Sequence, residues 1–240
     1  MNYNYLFIFY LVFIHALEMR IFRGDIAYVE QVPTWLLASA LPILIVSSWG
    51  ALFTFISVFA NTYVMHREME RGKKPLEKIV RDRMAANLLI ILFFYVYVLI
   101  FQHHSSVPGM ENRALLTGTI ETGALTFPNP LVLLRNGTLL LIGLSGIVSN
   151  LTVYFLWRKG GFKNHERNLK ALFIIGMLVL AFQPLLFYHL YPRFGLAVES
   201  GNYGLALIIS WLVHPYFSLF PFAAWGLFGA MFGLMMARGD

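Results

Sequence analysis

The side chains with the clearest capacity for chemistry in this sequence are its seven histidines. Five of them, His15, His103, His104, His189 and His214, fall towards one end of apolar stretches or just past it, while His66 and His165 lie in short basic segments. An imidazole titrates near neutral pH. It can therefore take a proton from an acceptor hydroxyl or amine, or carry an acyl group as a nucleophile. His15 has the strongest claim to a role: it lies inside an apolar run without a local polar partner, and an ionisable group in hydrocarbon must find one elsewhere. The others have structural readings beside the functional one. His103 and His104 follow a helix end and read as solvated, His189 reads equally as an interfacial anchor beside Tyr188 and Tyr191, and His214 equally as a kink residue before Pro215. Arg135 and Asn136 join the same side, where Arg135 would steady an acceptor or an oxyanion or snorkel to the headgroups. The sequence has no cysteine, which excludes disulfides, thiol nucleophiles and thiolate metal sites. Histidines at matched depth on different helices can ligate haem iron. These gather at helix ends, however, and no metal site is assigned.

The elements that must position these groups follow from composition. The chain has 240 residues, 58% of them hydrophobic, 16% aromatic and only 12% charged. A soluble domain carries about 25% charged residues. With a mean hydropathy of +0.67, the expectation is an all-α polytopic membrane helix bundle forming a single domain over 1–240. The net charge of +6 sits in short loops between apolar runs, so it is no nucleic-acid footprint.

Apolar runs predict about six crossings, at 3–17, 47–65, 84–102, 131–157, 171–191 and 217–237, with additional outer-leaflet segments at 34–46 and 203–214. The run at 3–17 resembles a secretory signal core in length but lacks a basic start and a small-residue cleavage site. It reads as a retained helix. Pro184 is expected to interrupt the crossing at 171–191 and Pro221 to break the run that begins at 203. A short interfacial helix is expected within 113–125. Gly229 and Gly233 form a G-x-x-x-G pair, a spacing that permits close helix packing, expected here within the molecule.

Charge orients the crossings. The segment 66–83 reads as a basic loop with Arg67, Arg71, Lys73, Lys74, Lys78, Arg81 and Arg83, and 158–170 as a second with Arg158, Lys159, Lys163, Arg167 and Lys170. The proposed outer loops hold only Arg20, Arg23, Arg113 and Arg193. Basic loops stay cytoplasmic, which places both termini in the cytoplasm and the chain in the plasma or inner membrane. The loop 66–83 is read first as this orientation signal and second as a site for phosphates of a cytosolic cofactor.

The stretch WGALFTFISVFANTYVMHREMERGKK, followed by IVRDRMAANLLIILF, resembles part of the multi-pass acyltransferases related to heparan-alpha-glucosaminide N-acetyltransferase and, more distantly, the acyltransferase-3 group. HPYFSLFPFAAWGLFGAMFG, RNGTLLLIGLSGIVSNL and IFYLVFIHALE are similar to further stretches of that family, the last to the end of a first helix where the family places a His. The family usually opens with an Arg and an Asp-x-x-Arg-Gly run and has about ten crossings, so this chain corresponds to part of that fold or to a shorter member. The resemblance implies acyl transfer from a cytosolic acyl-CoA, such as acetyl-CoA, to a glycan or other small hydroxyl or amine acceptor at the outer face. On that reading His15 is the base or acyl carrier, and Arg135, Asn136, His189 and His214 line the acceptor side. Arg71, Lys73, Lys74, Arg81 and Arg83 hold the CoA phosphates, with no permanently bound cofactor.

Three other readings compete. Kinked helices with outward polar groups suit a transporter or flippase component, although no acid sits in a crossing to couple cations. A non-catalytic subunit of a larger membrane assembly, with a second subunit or further copies of itself, fits the short length. A haem protein is the third.

Overall fold

The computed structural model describes residues 50–72, 74–101, 114–214 and 217–239. Among them are seven α-helices and no strand. The helices are α1 (Gly50–Glu70), α2 (Leu76–Phe101), α3 (Leu115–Thr122), α4 (Thr138–Trp157), α5 (His165–Glu199), α6 (Tyr203–Val213) and α7 (Leu219–Gly239). Short 3-10 turns at Pro130–Leu134 and Gly161–Lys163 precede α4 and α5. The protein is an all-α membrane helix bundle. The expected crossing at 3–17, the segment at 34–46 and His103 and His104 lie outside the described residues.

Four of the described helices, α2, α4, α5 and α7, contain spans long and apolar enough to cross a bilayer, of 26, 20, 35 and 20 residues, the last covering Leu219–Arg238. A bilayer core of about 30 Å needs roughly 20 residues of helix. The way these helices bury their apolar surface identifies their solvent. On α2, Leu88, Leu89, Leu92 and Phe93 are exposed, as are Phe173, Ile174, Met177 and Leu178 on α5. Such continuous apolar faces on peripheral helices belong against lipid rather than water. Helix α1 is equally long, at 21 residues. Its exposed stripe is Leu52, Ile56, Ala60 and Val64, while Thr54, Val58, Thr62, Met65 and His66 face inward. Thr54, Thr62 and His66 thus point into the bundle.

The interior is built from α1, α4 and α7. The α1–α7 pair is the most extensive contact in the bundle, followed by α5–α7 and α2–α4. Glycines set this closeness. A Cβ at Gly229 would lie 2.3 Å from the Phe55 carbonyl oxygen, and one at Gly233 2.6 Å from that of Phe59. Only glycine permits backbones to approach so closely, as the G-x-x-x-G spacing predicts for packing within the molecule. Gly146 of α4 similarly receives the Asn87 carboxamide of α2, whose Oδ1 would be 2.5 Å from a Cβ there. Around these contacts Val58, Met65, Ile79, Val153, Trp157, Leu172, Leu227 and Leu234 form the main apolar core.

Several boundaries differ from the expectations. The segment 66–83 is not a loop: α1 runs on to Glu70 and α2 starts at Leu76. Leu76, Ile79 and Val80 are buried on one face of the new turns of α2, so the helix extends as far as it has core to cover. The crossing expected over 131–157 begins at Thr138, after the 3-10 turn and an extended stretch. Pro184 does not interrupt α5, which also continues through Pro192 into the expected loop at 192–202. Proline is tolerated in membrane helices because neighbouring groups and local adjustments accommodate the freed carbonyl. The short helix within 113–125 and the segment at 203–214 are present as α3 and α6. Before Pro221, Phe220 leaves the helical region at φ −99° and ψ 120°, as steric clash with the following proline ring favours.

Candidate functional site

Both basic turns share one end of the bundle, because the His66 ring near the end of α1 meets Trp157 at the end of α4, Phe162 in the turn and His165 at the start of α5. The ring centroids are 5.9, 4.8 and 5.2 Å away respectively. His66 is 1% exposed. Neither of its ring nitrogens has a hydrogen-bond partner, and nor does the Trp157 indole N–H. The nearest anion is Glu70, one turn on, with Oε1 3.6 Å from Nδ1. His66 lies just past the apolar stretch of α1 that ends at Met65. Burial holds its imidazole below the ordinary histidine value, and His165 and Arg67 push the same way, while Glu70 opposes them. A neutral imidazole can accept a proton, and Glu70 is the carboxylate within ion-pair reach of the ring. The turn beside it is fastened locally: Asn168 donates from Nδ2 to Gly161 O at 3.0 Å, and Arg167 to Leu156 O at 2.9 Å. Gly160, at φ 81°, takes the left-handed conformation that this reversal needs.

From His66 a row of polar side chains runs into the bundle. On α1, Thr54, Asn61, Thr62 and His66 recur at helical spacing, and on α4 Ser145, Ser149 and Asn150 face them. Asn61 donates from Nδ2 to Asn150 Oδ1 at 2.8 Å. Thr62 Oγ1, Ser145 Oγ, Ser149 Oγ and Asn150 Nδ2 are buried without hydrogen-bond partners, as is Asn87 Nδ2 on α2. Gly226 of α7 closes the row, with Ser149 Oγ 3.0 Å from where its Cβ would be. Unpaired buried polar atoms are costly in a bilayer, which makes this row the candidate site in the interior.

A second polar cluster occupies the opposite end. Asn136 is buried and donates from Nδ2 to Ser210 O at 2.6 Å. The Ser210 hydroxyl lies 2.8 Å from Leu134 O and 3.0 Å from Asn136 Oδ1. These bonds tie the stretch before α4 to the last turn of α6. Arg135 adjoins Asn136 directly, and His214 caps α6 against the Phe194 ring. Sequence reasoning placed Arg135, Asn136, His189 and His214 together, and of these the structure brings Arg135, Asn136 and His214 to this end. His189 stands apart, exposed on α5 beside the Tyr188 ring.

The basic residues proposed to hold phosphates cluster at the α1–α2 turn but are partly engaged. Lys74 pairs with Asp82 at 3.5 Å and Arg83 with Glu68 at 3.0 Å, while Arg71 and Arg81 are exposed. A phosphate would have to compete with those carboxylates for Lys74 and Arg83. His15 and Lys73 lie outside the described residues. Sequence reasoning missed His66 and His165, both assigned to loops. The overlooked signal was the inward period of α1, in which His66 follows Val58 and Thr62 at four-residue steps. No group of three or more His, Asp or Glu suited to a metal ion occurs among the described residues. A surface cleft lined by Gln183, Pro184, Phe187, Tyr188, Tyr191 and Pro192 holds none of the proposed site residues. Comparison of the chain with family models, curated proteins and solved structures gave no match.

Proposed function

We propose that the protein is a membrane-bound acyltransferase, taking an acyl group from a CoA thioester at its basic end and passing it to a hydroxyl or amine acceptor at the opposite face. The observation that carries this reading is the polar row through the interior, from His66 and Thr62 towards Ser145. Group transfer between opposite faces needs a path on which a polar group is not stranded in hydrocarbon, and hydroxyl and carboxamide side chains provide it. At one end, Arg71 and Arg81 are available to phosphate oxygens. At the other, Arg135 and His214 are the groups an acceptor would meet beside the Asn136–Ser210 cluster. The imidazole of His15 takes the acceptor's proton or carries the acyl group between thioester and acceptor.

The test uses membranes containing the full chain, labelled acetyl-CoA and a panel of amino sugars and alcohols. Transfer that depends on the chain and is lost in His15→Ala supports the reading. Undiminished transfer in His15→Ala removes the role of His15, and absence of any chain-dependent transfer removes the function.

The same polar row favours a second reading, a carrier for a small uncharged polar solute, because its hydroxyl and carboxamide groups bear no formal charge. Uptake into sealed vesicles without acyl-CoA separates the two.

A further inference from the structure

We propose that His66 is a proton-operated plug at the basic-end mouth of the polar row, and that protonation moves its ring out of the Trp157–Phe162–His165 enclosure and opens the row to water. This stands whether the row serves transfer or carriage. The geometry supplies each part. His66 and Thr62 are one turn apart on the inner face of α1, so the imidazole lies one turn beyond the last buried hydroxyl of the row, at its basic end. The neutral ring fits an enclosure of aromatic faces that offers neither nitrogen a partner. A charged ring fits it less well, since burial of a cation is far more costly than burial of the neutral form, and the one carboxylate beside it, Glu70 at 3.6 Å, is already engaged by Arg67 at 3.2 Å.

The charges that face His66 give the motion its direction. From α1 come Glu70 and Arg67, and from α5 comes His165. Helix α4 presents only the Trp157 ring and the turn only Phe162, while the Arg158 guanidinium lies over the Phe155 ring, 4.6 Å from its centroid. His165 repels a protonated His66 from within the enclosure. Glu70, at 3.6 Å and with a side chain 42% exposed, attracts it outward. Arg67, which holds the other Glu70 oxygen at 3.2 Å, is the one neighbouring charge that works against this outward path.

The absence of cysteine from the sequence makes the test direct. Thr62→Cys places a single thiol just behind the plug, and Gly201→Cys, at an exposed turn, reports the intrinsic pH dependence of thiol labelling. Both are labelled with a membrane-impermeant maleimide in reconstituted protein between about pH 5 and pH 8, the range in which histidine titrates. The expected result is a Thr62→Cys to Gly201→Cys rate ratio that rises as pH falls, by at most about tenfold per pH unit, the limit for one proton. The rise disappears in His66→Gln and persists in His165→Gln. A ratio independent of pH overturns the proposal, as does a rise that survives His66→Gln. Intrinsic fluorescence keeps the test sound if a cysteine variant folds poorly. Trp157 emission should change with pH in the unmodified chain and not in His66→Gln, with Trp157→Phe identifying its share of the signal. Emission changes that are identical in the unmodified chain and His66→Gln also overturn it.

Discussion

Replacing Gly229 by alanine tests the packing on which the interior depends. The added methyl would lie 2.3 Å from the Phe55 carbonyl oxygen, whereas carbon–oxygen contacts of this kind settle at about 3.3–3.6 Å. The oxygen belongs to the backbone of α1 and cannot rotate away, so α1 and α7 must separate by about 1 Å. A radial gap of about 0.5–1 Å forfeits a quarter to a half of each dispersion contact along the seam. Overpacking of this kind costs about 1–3 kcal/mol. For a chain of this size that is a fall in thermal midpoint of roughly 2–10 °C. Gly233→Ala, against the Phe59 carbonyl at 2.6 Å, should do the same. The double variant should lose less than the sum, because one separation relieves both clashes. Gly195→Ala is the control: nothing lies within 4 Å of its Cβ, and alanine is preferred to glycine inside a helix by about 0.5–1 kcal/mol. Melting curves in one detergent decide the matter. If Gly229→Ala melts no lower than Gly195→Ala, the α1–α7 seam is not the close contact described.

Further outcomes follow from particular bonds. Ser210→Ala removes the hydroxyl between Leu134 and Asn136 and leaves a buried amide oxygen unpaired, which should cost about 1–3 kcal/mol and speed hydrogen exchange in α6 before α4. Asn168→Ala loses the buried bond to Gly161 O, and limited trypsin digestion should then cut faster at Arg158 and Lys159 than in the unmodified chain. Stability should also depend on pH through His66. Its imidazole is held below the ordinary value in the fold, so the unfolded chain binds more protons at mildly acid pH. The full contribution is present above about pH 6.5 and declines as pH falls from there to the lowered folded value. Equilibrium melts of His66→Gln, compared with the unmodified chain across that window, should show a weaker dependence.

How much of this was legible in the sequence varies from residue to residue. Long lipid-facing runs such as 84–102 were plain because nothing but lipid accepts so many exposed Leu and Phe side chains. The turns that extend α2 back to Leu76 were hidden by their charges, although Leu76, Ile79 and Val80 keep the helical period. Pro184 read as a break because proline costs a hydrogen bond in water, a penalty the bundle environment softens. At the candidate site, Asn136 and His214 were recognisable as polar groups beside a helix end. His66 was not, because Arg67, Glu68 and Glu70 follow it and made the whole stretch look solvated. Which side of a charged helix end faces inward is settled by Trp157 and Phe162, some ninety residues away, and no local pattern carries that information.

Helix α5 has 35 residues, about 52 Å at 1.5 Å per residue, against a hydrocarbon thickness of about 30 Å. Even with an ordinary tilt, roughly 15 Å or more of it stands clear of the acyl chains. Residues 200–202, which join it to α6, are exposed and polar. A peptide epitope or fluorescent module inserted after Gly201 should therefore be tolerated. Such a handle would show by antibody access which face of the membrane that turn occupies.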